Sequence, residues 1–450
     1  MTGWIFYGLA GLFFLLSQYA AIESWREREG RAARRFFVAG MHLPLPFVVL
    51  GLLDVSGAWA LGILGVLVLV AGDMFFPRRG GTIGEGIVPR GRIDERDTMF
   101  SRVDLVAGTR PYQAYYHRHP GRKKGDDRLR ANPGLLSSAA SFYDPHIFPA
   151  ARANFELIEY NRAYVDGEVA EQQLSVDPCF LARYLKQLAR KYGAVSVGIT
   201  RLQDYHLYSY RGRRHHYGEP VDNDHGYALA LTVEMDHDYV RNAPYALSVL
   251  ESSRQYIRSG LLALWLARII RDMGYAARAH IDGEYEVVCP LVARDAGLGE
   301  IGRMGLLMTP ELGPRVRIAV VTTSAPLQVD DRQERYSMID FCLKCRKCAD
   351  VCPSRAIPFG GRENIDGVWR WQIDQQACFT YWTRTGTDCA RCMSVCPFSH
   401  PNTPLHNLVR QGINHSGLFR TFAARMDDFA YGRKPKPLTR TEVMRAEGLD

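Results

Sequence analysis

The chain has no long basic run: 56 Lys and Arg stand against 48 Asp and Glu over 450 residues, a net charge of +8. Nucleic-acid binding needs clustered positive charge, so no nucleic-acid partner is expected. Charge is absent altogether from Met1 to Ile22, and no internal repeat occurs outside the cysteine-rich stretch. Cysteine is scarce over most of the chain: of ten, only Cys179 and Cys289 lie outside the segment Cys342–Cys396. A secreted disulfide scaffold spreads its cysteines through a short chain, so this pattern excludes one and points to metal ligation. Cys179 and Cys289 read as small apolar packing residues. Apolar residues at 47% and charged residues at 23% describe a globular protein with a real core, long enough for a large domain and a smaller module.

The eight grouped cysteines fall into two sets. The first is Cys342-x2-Cys345-x2-Cys348-x3-Cys352-Pro353, and the second is Cys378-x10-Cys389-x2-Cys392-x3-Cys396-Pro397. Zinc sites also use C-x2-C, but they do not explain four cysteines in this order followed by a partial second copy. The bacterial ferredoxin arrangement does. Three thiolates grip one 4Fe–4S cluster and the fourth crosses to the other. Applied here, cluster one takes Cys342, Cys345, Cys348 and Cys396, and cluster two takes Cys352, Cys378, Cys389 and Cys392. The gap before Cys389 marks an inserted loop.

The front of the chain reads as a membrane anchor. Trp4–Ile22 is apolar enough to span a hydrocarbon core as a helix. Phe36–Gly72 is a second apolar stretch broken by Asp54, Ser56 and Gly57, which suggests a helical hairpin, Phe36–Leu53 and Val55–Gly72. His42, Pro44 and Pro46 weaken its first arm. Five arginines in the connector Glu23–Arg35, and Arg78 and Arg79 after the third span, place both basic segments in the cytoplasm by the positive-inside rule. The expectation is a multi-pass protein of the cytoplasmic membrane with its body facing the cytoplasm. Arg34-Arg35-Phe36-Phe37 also resembles a twin-arginine export signal, but a complete apolar span precedes it.

Between anchor and cysteines, residues 80–130 read as a linker settling into a domain. Beyond it the pattern is mixed α and β, with a helix at Phe180–Tyr192 and strands at Ala194–Ile199, Tyr227–Met235, Tyr285–Val288 and Val316–Thr322. A long helix over Ala246–Met273 is stopped by Gly274. Gly297-Leu298-Gly299-Glu300-Ile301-Gly302-Arg303 contains G-x-G-x-x-G. It has no dinucleotide-type context, so its glycines read as allowing close approach to something large and flat.

From about Asp94 to Pro404 the sequence resembles the corrinoid-dependent reductive dehalogenases. The resemblance is carried by Val233-Glu234-Met235-Asp236, Ala296 through Gly305, Gly313-Pro314-Arg315-Val316-Arg317, Phe341-Cys342 through Pro353, and Cys396-Pro397-Phe398. It implies an α+β fold: a nitroreductase-like corrinoid-binding domain over 181–335, a ferredoxin-like module of two 4Fe–4S clusters over 336–405, and a C-terminal tail over 406–450. Before these stand the transmembrane anchor over 1–79 and a leading segment over 80–180. It further implies a cobalamin-type corrinoid near Gly297, Leu298, Gly299, Gly302 and Arg303, an organohalide substrate, and reductive removal of halide. Tyr256 matches the family's proton-donating tyrosine. Arg317 matches the cation beside it, with Arg315 as its rival. Electrons would come from a membrane donor or a ferredoxin- or flavodoxin-type reductant. The fused anchor departs from exported family members, which carry a cleavable signal and a separate membrane partner. Two other readings compete: an epoxyqueuosine reductase-like corrinoid enzyme acting on tRNA, and a membrane-anchored iron–sulfur carrier without catalysis.

Overall fold

The computed structural model describes residues 3–53, 57–75, 89, 91–213, 216–332 and 335–448. The chain divides into two compact units. The larger holds Ile83–Glu334, Cys348–Ser399 and Lys436–Asp450, and the smaller holds Met1–Thr82, Arg335–Lys347 and His400–Pro435. The boundary falls inside the first cysteine group.

The larger unit is built on a four-stranded antiparallel sheet. Its strands lie in the order Ser196–Arg201, Tyr227–Glu234, Val316–Thr323, Ala277–His280. Alternate side chains of a strand point to opposite faces. One face of the sheet, including Ala319 and Val321, packs under the helices Ala246–Asp272 and Pro178–Lys191. The other face, including Val320 and Ile318, packs against the helix Cys289–Asp295. The sheet is therefore buried on both sides, which is why Tyr227–Glu234 and Val316–Thr323 are almost continuously apolar.

Most expected elements are present within a residue or two, including the long helix that ends at Asp272 before Gly274, whose φ is +84°. Two expectations need correction. Tyr285–Val288 is not a strand and makes only the isolated bridge Leu207↔Val287. The fourth strand is Ala277–His280, at the edge beside Val316–Thr323, and its Arg278 and His280 conceal its apolar pattern. Nor is the stretch up to residue 130 a linker throughout. Met99–Val103, Arg110–Arg118 and Pro120–Arg130 are helices. They are tied together by buried Asp126, which accepts from Arg102 Nε at 3.0 Å and from the Tyr116 hydroxyl at 2.9 Å.

The smaller unit is helical. Gly3–Arg26 packs along Gly30–His42 and Leu45–Leu52, and Gly57–Phe75 packs on Pro404–His415. The runs Trp4–Arg26 and Gly30–Leu52 are long and apolar enough to cross a membrane, and little of either is buried. The expected basic connector over Glu23–Arg35 is much shorter than supposed. Helix resumes at Gly30, so Arg31, Arg34 and Arg35 are helical, and Arg28 turns the chain at φ +58°. Helix formers with few breakers extend a helix past its apolar stripe, which is why hydropathy alone set the boundary too late. The hairpin turn expected at Asp54–Ser56, and Arg78 and Arg79, lie outside the described residues. The expected C-terminal tail is helical, with Pro404–His415 and Gly417–Ala430 in this unit and Arg440–Ala446 in the larger one.

Candidate active site

The long helix and the sheet together place the two residues singled out for catalysis. Arg317 is the second residue of its strand and pairs with Val233 in register. It shares parity with Ala319 and Val321, and so points to the face covered by the long helix. Ser252 and Tyr256 stand one turn apart on that helix, on one side of it. The Arg317 guanidinium carbon lies 4.9 Å from the centroid of the Tyr256 ring. Its Nη2 donates to Asp388 Oδ2 at 3.0 Å and to the Ser252 hydroxyl. The hydroxyl in turn donates to the same Asp388 oxygen.

This arrangement fixes the electrostatics. Burial pushes the Tyr256 phenol up, and the Arg317 charge pulls it partly back, leaving it at about 12. Burial also raises the Asp388 carboxyl, with Arg317 opposing. Arg317 is thus held between a ring face and a buried carboxylate. Neither Ser252 nor Asp388 was singled out in the sequence. The available signals were weak: a serine one turn before Tyr256, and an acid immediately before Cys389.

Three cavities of the larger unit meet at Tyr256 and Arg317. The first, of 220 Å³, is walled by Tyr208, Tyr285, Val287, Leu307 and Ile318, and among the described residues Arg317 is the one charged side chain in its lining. The second, of 410 Å³, is lined by Phe100, Phe155, Phe379 and Trp382 together with acidic and basic side chains, Asp388 among them. The third, of 150 Å³, is lined by Cys352, Cys378, Cys389 and Cys392. All four cysteines expected to hold cluster two therefore open on one small space. Burial raises the Cys378 thiol to about 11 and the Cys389 thiol to about 12, a shift that a bound cation's charge would oppose. Of the other set, Cys342 and Cys345 lie on the helix Tyr336–Cys345 of the smaller unit, and Cys348 and Cys396 belong to the larger.

The remaining candidates are elsewhere. Arg315 is 1% exposed and lines none of these cavities. It donates to Glu234 Oε1 at 2.7 Å, to the Ser399 carbonyl at 2.9 Å and to the Met235 carbonyl. Arg315→Met should accordingly lower stability by about 1–3 kcal/mol through the two buried carbonyls it abandons, read as a lower denaturation midpoint. Any protein that folds should keep its turnover within a few fold.

The glycine motif also packs on protein. A side chain at Gly299 would meet the Met308 carbonyl at 2.0 Å, and Gly297 has a φ of +80°. Leu298 is part of the core beneath the Cys289–Asp295 helix. Arg303 donates to the carbonyls of Pro358 at 2.8 Å and Gly360 at 2.6 Å and stacks over Trp371. Gly297, Leu298, Gly299, Gly302 and Arg303 line none of the three cavities, and the close approach that Gly299 permits is to backbone. From that segment, Met304 and Leu306 reach the cysteine-lined cavity.

The larger unit is thus of mixed α and β class, with a tyrosine-centred cavity beside four clustered thiols, a donor set that suits an iron–sulfur cluster. The 4Fe-4S dicluster domain family matches residues 341–400. Over 296 residues the chain is 32% identical to a tetrachloroethene reductive dehalogenase of Sulfurospirillum multivorans, covering 58% of each chain. Over 226 residues it is 29% identical to a tetrachloroethene reductive dehalogenase of Desulfitobacterium hafniense, covering 48% of this chain and 40% of that one. Among solved structures, the catabolic reductive dehalogenase NpRdhA superposes with a TM-score of 0.64 at 25% identity, over 80% of this chain and 50% of that one. The chain thus has a reductive dehalogenase-like fold with a 4Fe–4S dicluster domain and is similar in sequence to reductive dehalogenases. It spans about half the length of these relatives. An epoxyqueuosine reductase of Staphylococcus aureus is more distant, 29% identical over 121 residues, or 24% of this chain and 28% of that one.

Proposed function

We propose that this protein is a corrinoid-dependent reductive dehalogenase, catalysing R–X + 2e⁻ + H⁺ → R–H + X⁻. The observation that carries the reading is the Tyr256–Arg317 pair, set where three cavities meet, one of them walled by four cysteines. Two features support the implied groups. Cys352, Cys378, Cys389 and Cys392 offer four soft donors to cluster two. Cys342, Cys345, Cys348 and Cys396 do so for cluster one by their spacing. The cavity walled by Tyr208, Tyr285, Leu307 and Ile318 is apolar enough to face a flat macrocycle. A bound corrinoid would supply a low-valent cobalt as reductant for carbon–halogen cleavage.

The chain's own residues do the rest. The aromatic walls Phe155, Phe379 and Trp382 take up the organohalide skeleton and exclude water. The Tyr256 hydroxyl, protonated across the neutral range, donates the proton that replaces the halide. Arg317 stabilises the resulting phenolate, and Ser252 and Asp388 hold Arg317 over the ring. The test is anaerobic incubation of corrinoid-loaded, cluster-replete protein with aryl and alkenyl halides and a reduced viologen dye. Halide should appear at about one per two electrons consumed; no halide from either class overturns the reading.

The apolar helices Trp4–Arg26 and Gly30–Leu52 anchor the protein to the cytoplasmic membrane. Gly57–Phe75 is a third span of similar length. Large exposed apolar side chains support this, among them Trp4, Leu15, Leu52 and Leu69. Arg26 and Arg28, at the turn joining the first two spans, favour a cytoplasmic body. The donor is then a membrane reductant or a ferredoxin- or flavodoxin-type protein. Alkaline carbonate extraction should leave the protein in the pellet, and release to the supernatant contradicts the anchor.

A further inference from the structure

The helical unit contains a cluster that the dehalogenation chemistry does not use. Glu27 lies in the turn between the first two helices, His400 follows the last cysteine by four residues, and His406 is in the first turn of Pro404–His415. These segments are far apart in the chain, yet one ligand atom from each lies within 4.8 Å of the others. His406 Nε2 is 3.0 Å from both carboxylate oxygens of Glu27. The His406, Glu27 and His400 side chains are 8%, 6% and 14% exposed, so the cluster is largely shielded from water. Its surroundings are the apolar packing of Ala32, Ala430 and Tyr431.

We propose that Glu27, His400 and His406 bind a divalent transition-metal ion of the zinc type. Two imidazoles and a carboxylate are a donor set such ions favour, and three protein ligands leave a fourth position for water. Ligands on one tetrahedral ion with bonds of about 2.0–2.1 Å stand about 3.3 Å apart, close to the His406–Glu27 separation. A second, independent observation is the state of His400. Its Nε2 lies 2.8 Å from Asp427 Oδ1, and Asp427 also accepts from the Lys347 ammonium. A carboxylate hydrogen-bonded to a ring nitrogen is the usual support for a metal-binding histidine. The ion would clamp the turn between the apolar helices to the segment that follows the cysteines. This inference does not depend on the dehalogenase reading.

The test supplies zinc chloride to the full-length, cluster-replete protein in detergent, and measures zinc beside iron after gel filtration. About one zinc per chain is expected alongside about eight irons. The zinc X-ray absorption spectrum of the unaltered protein should show nitrogen and oxygen neighbours near 2.0–2.1 Å and no sulfur. Glu27→Gln and His406→Gln should each weaken zinc retention at least about 10-fold without loss of iron. Failure to retain zinc, sulfur scattering at about 2.3 Å, or undiminished zinc in iron-replete variants overturns the site. The absorption measurement decides even if a variant does not fold.

Discussion

Tyr256→Phe should leave a folded protein that holds its clusters and corrinoid but turns over about 10²–10⁴-fold more slowly, the usual contribution of a positioned general acid. The substitution removes one oxygen and keeps the ring that packs beside Phe155 and under Arg317, so little stability should be lost. The deficit should therefore appear in kcat, since the proton is transferred only as the bond breaks. Near-normal kcat removes Tyr256 from the mechanism. The pH profile offers a second check on the same residue. A donor must carry its proton, and a phenol raised to about 12 stays protonated to well above the ordinary tyrosine value. Turnover in the wild type should not fall between about pH 7 and 10 through loss of this proton, and its alkaline limb belongs above that range. A limb attributable to Tyr256 below pH 10 contradicts the burial of the phenol.

Arg317→Met should have an effect of the same order by a different route. The guanidinium is the charge that makes the Tyr256 anion accessible after proton delivery, and burial acts unopposed once it is gone. Asp388, buried and bonded through Ser252, loses its cation as well. Breaking a buried pair on one side costs about 3–5 kcal/mol unless the carboxylate takes up a proton. A fall of at least about 10²-fold in kcat is expected with iron and cobalt retained, together with a lower denaturation midpoint. Arg317→Lys should restore only part of the rate, because an ammonium cannot cover the ring and serve both Ser252 and Asp388 in one plane. The comparison with Arg315→Met separates the two arginines. Arg315 has its hydrogen bonds to Glu234, Met235 and Ser399, so its loss should affect stability and leave turnover of the folded protein largely intact. Equal catalytic losses from both substitutions contradict the assignment of Arg317 over Arg315.

How far these features could be read from the sequence follows the range of the forces behind them. The cysteine groups were legible because ligand spacing within a turn or two is a local constraint, and the dicluster domain match covers the same stretch. The helix Ala246–Asp272 was legible because its apolar period is long and Gly274 ends it. The edge strand Ala277–His280 was not, since four residues carrying an arginine and a histidine show no alternation that stands out. That Tyr256 meets Arg317 depends on strand parity and helix phase together, and no local pattern contains that meeting. Ser252 and Asp388 are 136 residues apart and have a role only because the fold joins them on one guanidinium. The glycine motif shows the opposite difficulty. The fold uses Gly299 for a close approach to the carbonyl of Met308, and a sequence pattern does not say whether such a glycine faces backbone or a ligand. The helical packing of 404–430 on the front of the chain was equally hidden, because its apolar faces read as an ordinary tail until their partners are known.

The central claim is that one polypeptide unites a corrinoid site with two iron–sulfur clusters. Cobalt and iron content per chain, measured on protein made anaerobically with corrinoid supplied, tests it most directly. About one cobalt and about eight irons per chain are predicted. Eight irons without cobalt would contradict the account and leave an iron–sulfur electron carrier in its place.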